Sequence, residues 1–200
     1  MIADINTPVR AIVGKTSDST YQVPRLDPDS HSLQTIDIGR AEIHHGHSFE
    51  YRTYVDLALN NVWDIQITTP NRGRRAHFSF EFDVESETLW HFYENVNIIL
   101  AGAAIVSINH DRISSNESIL TMAGIANANV GAANADTAVA GATVLAEGIA
   151  GGGKKVGGEA GSRHGWPLAR AEDYCLRFIA TVAGFVSYHL DYYEHPPKGN

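Results

Sequence analysis

The run YCLRFIATVAGFVSYHLDYYEH, residues 174–195, decides the fold. Leu176, Phe178, Ala180 and Val182 fall on one side of an extended chain. Val186, Tyr188, Leu190 and Tyr192 fall on one side of the next, with Ala183-Gly184 between the two. Strict alternation of apolar and polar residues marks a strand buried on one face only. Two such strands in succession predict that a sandwich or barrel closes here, before the chain runs out through Tyr193-Glu194-His195-Pro196-Pro197.

The pattern repeats upstream. Phe78, Phe80, Phe82 and Val84 share an inward face, with His77, Ser79, Glu81 and Asp83 outward, so three aromatic rings anchor a core. Phe49, Tyr51, Thr53, Val55, Leu57 and Leu59 make a longer strand, with Glu50, Arg52, Tyr54 and Asp56 on its other face. Asn60-Asn61 separates it from the alternating Trp63, Ile65 and Ile67. Paired asparagines tolerate positive φ, which predicts a tight hairpin. Thr88–Val96 and Ala103–Asn109 read as further strands, with a short helix as the alternative for residues 88–95.

Residues 123–153 hold eleven alanines and seven glycines. Alanine favours helix, while the interspersed glycine and asparagine oppose it, so a long irregular loop is expected over about 123–160, with one strand near Thr143–Leu145. Residues 1–35 carry turn formers and short apolar pairs and read as an extended N-terminal arm preceding a domain over 36–200. About eight short strands and no alternating helices predict an all-β fold, a jelly-roll-like antiparallel β-sandwich.

A chain of 200 residues buries a core without disulfides. The single cysteine, Cys175, lies on the strand face opposite Leu176 and Phe178 and reads as a small structural residue in a reduced compartment. Met1–Val13 mixes polar and charged residues into its apolar ones, unlike a signal or transit peptide, and no window approaches the ~18 apolar residues of a membrane span. A formal charge of −8, from 15 basic and 23 acidic residues, argues against binding nucleic acid, which takes a concentrated basic surface. No membrane partner is expected either.

Several motifs are candidates for chemistry. His44, His45 and His47 could ligate a metal, but neighbours on a strand point to opposite faces, and no Asp, Glu or Cys completes a set by spacing; a polar turn is the plainer reading. Gly148–Lys154 has the glycines and lysine of a phosphate loop. Lys155 stands where the Mg²⁺-binding hydroxyl belongs, however, and Val156-Gly157-Gly158 cannot open the helix such a loop precedes. Arg72, Arg74 and Arg75 make a basic cluster that reads as a solvated loop, with contact to an acidic partner surface as the alternative. The carboxylate pairs Glu85/Glu87 and Asp191/Glu194 read as solvated strand edges. No catalytic, cofactor-binding or metal-binding residue is assigned, and no cofactor is expected.

In order along residues 36–195, the stretches Glu42–Phe49, Asp56–Val62, Thr68–Asn71 before His77-Phe78, Asn109–Asn116, 148–158 and Tyr193-Glu194-His195 resemble a broad group of virion structural proteins of tailed bacteriophages. The resemblance implies a non-enzymatic cement or decoration protein of the head, assembled in the host cytoplasm and located in the virion. Its partners would be the major capsid protein and copies of itself, as a homotrimer or homodimer. A tail or head-to-tail connector component is one alternative. A jelly-roll carbohydrate-binding module stacking sugars on Trp90, Trp166 or Tyr193 is another. A cupin-like metal enzyme using His44 and His47 is the third.

Overall fold

Period-two patterning becomes strand through most of the chain that the computed structural model describes, namely residues 14–15, 21–22, 42–127, 136–151, 157–160 and 165–196. Strands β1 (Gly14–Lys15) and β2 (Tyr21–Gln22) pair with one another. There follow β3 (Ser48–Leu57), β4 (Val62–Thr68), β5 (Arg75–Val84), β6 (Thr88–Glu94), β7 (Asn97–Ile98), β8 (Ala103–Ile105), β9 (Ile108–Asn109) and β10 (Thr121–Asn127). The second half adds β11 (Thr137–Ala138), β12 (Thr143–Ala150), β13 (Gly157–Ala160), β14 (Trp166–Pro167), β15 (Asp173–Ala180) and β16 (Gly184–His195). The fold is all-β, with antiparallel sheets packed as a sandwich. Among the described residues no helix is long and apolar enough to cross a membrane.

The first sheet has the order β12-β6-β15-β4-β10-β8 and the second β13-β5-β16-β3-β9, with β14 also on β5. From β3 to β6 successive strands therefore alternate between sheets, and β15 and β16 do so again. β3 pairs with β16, β4 with β15, β5 with β13 and β6 with β12, a nested set in which the first half of the domain lies along the second. The corners are zipped too. Asn60 N–H donates to Ala180 O and Ala180 N–H to Asn61 O, at 2.8 and 3.0 Å, while Thr69 N–H donates to Glu172 O and Leu168 N–H to Ala76 O, both at 3.0 Å. Satisfying backbone polar groups where the chain leaves one sheet for the other is what lets these corners pack.

Two local expectations are corrected by this topology. Asn60 does take positive φ (65°), but the Asn60-Asn61 turn carries the chain between sheets, and β3 and β4 do not pair as a hairpin. Likewise β15 and β16 are both strands, each central to a different sheet; β15 ends at Ala180, and Val182, expected inward, is 52% exposed in the crossover. Between the sheets, Phe82 meets Phe178 at 5.1 Å between ring centroids, Phe80 meets Phe92 at 5.4 Å and Phe178 meets Tyr188 at 6.1 Å.

The Ala/Gly-rich stretch departs furthest from expectation. Instead of one irregular loop, β10 and β12 are full sheet members, with β13 and the short β11 between and beyond. The strand expected near Thr143–Leu145 runs on to Ala150. Long-range packing explains the composition: a Cβ on Gly124 would strike the Trp63 indole, and one on Gly148 would sit 2.8 Å from Trp90 Nε1. Glycine in these strands makes room for two indoles on the neighbouring strand. Residues 88–94 are strand, not helix. Of the expected arm, residues 1–35, all but the β1 and β2 pairs lies outside the described residues.

Strands β4 and β15 are buried on both faces. One face enters the sandwich; the other lies beneath β7 and β11, which pair over it as a third layer. There Arg177 and Asp64, opposite one another in register, form a two-pronged ion pair, with Nε–Oδ1 at 2.7 Å and Nη2–Oδ2 at 2.8 Å, both side chains almost wholly buried. Arg177 Nη2 also donates to Thr137 O at 2.8 Å, and Gln66 Nε2 donates to Thr137 Oγ1 and Leu100 O. Cys175 is buried beside this pair, and burial pushes its thiol well up, so no thiolate forms near neutral pH.

Arg177→Met should lower the unfolding free energy by about 3–5 kcal/mol, because it leaves the Asp64 carboxylate as a lone buried charge. The double variant Asp64→Leu/Arg177→Met should regain much of that loss, as read from urea unfolding curves. A double variant no more stable than the single one would contradict this account of the layer.

Candidate functional site

The histidine motif is a helix end. Glu42–His44 form one helical turn; Gly46 N–H donates to Ile43 O at 2.9 Å and His47 N–H to Glu42 O at 2.8 Å, with Gly46 at φ 68°. This doubly bonded C-terminal cap takes glycine at the left-handed position. A Cβ there would also collide with Ser114 Oγ. Glu42, invisible to the spacing argument, reaches both rings: His47 Nδ1 lies 3.2 Å and His45 Nδ1 3.9 Å from its Oε2. His44 points to solvent apart from them. Among the described residues no group of three or more His, Cys, Asp or Glu is placed to hold a metal ion.

The other sequence candidates have structural partners. Arg74 Nε donates to the buried Glu194 Oε2 at 3.1 Å, Arg75 Nη2 to Leu168 O at 3.4 Å, and Arg72 is exposed, so the basic trio does not act as a unit. Glu194 also accepts from Ser118 Oγ and Ile119 N–H, both at 2.8 Å. Tyr192 OH lies between Ser107 and Ser118 Oγ, and burial pushes the phenol up to about 12. Together these contacts fasten the loop after β9 to β16. Gly148–Ala150 belong to β12, and Lys154 and Lys155 lie outside the described residues. Glu85 Oε2 accepts from Phe185 N–H and Glu87 from Thr181 Oγ1, which tie corners together. The aromatics proposed for sugar stacking are engaged as well: Trp90 packs on Phe80, Trp166 on Phe92, and Tyr193 stacks on His77 at 4.7 Å.

Two surfaces remain. The first is the outer face of the second sheet, where register sets side chains in rows across β3, β16 and β5: Tyr54–Ser187–Asp83, then Arg52–His189–Glu81, then Glu50–Asp191–Ser79. A cleft of about 400 Å³ opens over the first two rows. Glu50 gathers Arg52 Nε at 3.1 Å, His189 Nε2 at 3.2 Å and His110 Nε2 at 3.7 Å. Desolvation opposes ionisation of Glu50, but Arg52 and the two imidazoles outweigh it, and the carboxyl sits below its ordinary range. Asp191 in the same row goes the other way: burial raises it, and the neighbouring His110 and His189 offset only part of that.

The second surface is the stretch Asn97–Ser107, which contains no charged residue. Ile99, Leu100 and Val106 are exposed within it, Val106 at 78%, and Ile108 and Ile113 are exposed further along the chain. Gln66 positions the stretch by accepting from Gly102 N–H at 3.0 Å and donating to Leu100 O. Among the described residues β8 pairs only with β10, and no described strand lies on its other edge. A cleft of about 340 Å³ lies alongside, lined in part by Ile105, Val106 and Ser107. Period-two reasoning found β8 but could not show that it lies at an edge.

Comparison of the chain with family models, curated protein sequences and solved structures finds no match.

A raised folded-state carboxyl contributes stability that is present at low pH and lost as pH rises through the folded value. Asp191→Asn should therefore raise the urea midpoint at pH 7, and its curve should converge with that of the parent protein below the ordinary aspartate value of 3.8. A lower midpoint at pH 7 would show that the carboxylate is held favourably.

Proposed function

We propose that the chain is a non-enzymatic virion structural protein, a cement or decoration protein that binds the capsid shell of a tailed bacteriophage. Its partners are the major capsid protein and copies of itself. The observation that carries the reading is the uncharged edge at residues 97–107. Natural sheet edges are blunted by charge, proline or bulges, because a bare apolar edge invites pairing with another chain. The β8 edge is short, three residues, but carries no charge, proline or bulge, and its flanking isoleucines and valine are exposed. Such a surface fits a protein whose working state is an assembly in which this edge is covered.

The nested strand pairs support the same reading by analogy. Disregarding the added β8, β9, β10 and β14, the sheets run β13-β5-β16-β3 and β12-β6-β15-β4, an order like that of a jelly roll, an architecture found in viral capsid and lectin domains. Mechanically the role suits the fold. A sandwich whose corners are zipped by backbone hydrogen bonds resists shear, and lateral contacts repeated on a symmetric shell multiply modest affinities.

Purified protein should co-sediment saturably with heads that lack it, at a copy number fitting the shell lattice. Val106→Asp, at a solvent-exposed position that leaves the fold intact, should weaken that binding about tenfold or more. Absence of saturable binding by the parent protein would overturn the reading in favour of a tail or connector component.

A further inference from the structure

On the outer face of the second sheet, Tyr54 is 68% exposed and Phe185 46% exposed, and their rings meet edge to face at 5.7 Å and 73°. Neither ring serves the core, and their strands present them beside the cleft lined by Arg52, Glu81, Asp83, Ser187 and His189. A polar sheet face by itself is a solvated surface. An exposed aromatic platform bordering carboxylates, a hydroxyl and a guanidinium is a different arrangement, since it offers an apolar plane and directional donors and acceptors within one ligand's span.

We propose that this face binds a neutral oligosaccharide. A pyranose ring has a C–H face that packs on an aromatic plane, and a rim of hydroxyls that each donate and accept. Tyr54 supplies the plane, with Phe185 bracing it edge-on. Asp83 and Glu81 accept from sugar hydroxyls, and Arg52 donates to them; hydrogen bonds with a charged partner are the stronger kind. Neighbours within a row sit at the ~4.8 Å strand spacing, about the width of one sugar ring, so adjacent hydroxyls meet adjacent strands.

Charge selects the class of sugar. Glu50, Asp56, Glu81, Asp83 and Asp191 share this face with the cation Arg52 and the imidazole of His189, so uronic acids, sialic acids and phosphorylated glycans are repelled. The platform also lies apart from Trp90, Trp166 and Tyr193, which the fold commits to packing and stacking. It shares no residue with the β8 edge, so one copy can hold a shell through its edge and a glycan through its face. The inference stands independently of the virion reading.

The test is affinity electrophoresis of the full chain through native gels containing dextran, yeast mannan, mixed-linkage β-glucan or polygalacturonate. Retardation is expected in at least one neutral polysaccharide and absent in polygalacturonate. Tyr54→Ala should weaken the retarding interaction about tenfold, the equivalent of ~1.4 kcal/mol, while Tyr54→Trp retains it. Both variants should keep the parent's urea midpoint, because the position is solvent-exposed. No retardation in any neutral gel, equal retardation of Tyr54→Ala, or retardation in polygalacturonate alone would overturn the proposal.

Discussion

Two charges held out of water, Asp64 and Arg177, constrain the architecture more than any other contact. They face one another across β4 and β15, the two central strands of the first sheet, on the side turned away from the sandwich. A buried ion pair is tolerable only with good geometry and every remaining donor engaged. Here the paired oxygens take the Nε and Nη2 protons, and Thr137 O takes another. The third layer of β7 and β11 must therefore close for the sheet's outer face to be stable, and its closure depends in turn on the charges beneath it. Alignment of β4 with β15, itself a pairing of strands 113 residues apart, is thus coupled to closure of the β7–β11 layer.

That coupling also sets the surface that the proposed assembly would cover. Gln66, one strand position beyond Asp64 on the same outer face, clamps Leu100 and Gly102. The chain leaving the clamp enters β8, where Ala103 and Ala104 are exposed while Ile105 packs partly on the core, and emerges at the exposed Val106. The position of this edge is therefore a product of the buried polar layer. A preformed edge of this sort binds without first ordering a loop, which lowers the entropic cost of association. The second sheet is fastened differently: Glu194, Tyr192, Ser118 and Arg74 hold the loop after β9 against β16, so both ends of the segment from β7 to β10 are anchored.

Local pattern carried much of the fold. Phe78, Phe80, Phe82, Val84, Val186, Tyr188, Leu190 and Tyr192 face inward as alternation requires, and the all-β class follows from them. Alternation reports which way a side chain points but not which strand lies beside it, so the Asn60-Asn61 corner read as a hairpin when it is a passage between sheets. Asp64, Gln66, Cys175 and Arg177 looked like a solvent face because the layer that covers them comes from elsewhere in the chain. The glycines of β10 and β12 looked like loop because their purpose, space for Trp63 and Trp90, is set by strand neighbours far apart in sequence. The surfaces were the least legible, since an edge and a cleft exist only once the strand order is known.

The account joins a nested sandwich to an apolar edge that the proposed assembly would cover. The most direct measurement is cryo-electron microscopy of the virion at a resolution that places the two sheets. The account predicts this sandwich on the outside of the head shell, with the β8 edge and residues 97–108 packed against a capsid subunit or a second copy of the chain. A sandwich missing from the head, or one whose β8 edge faces open solvent, would contradict it.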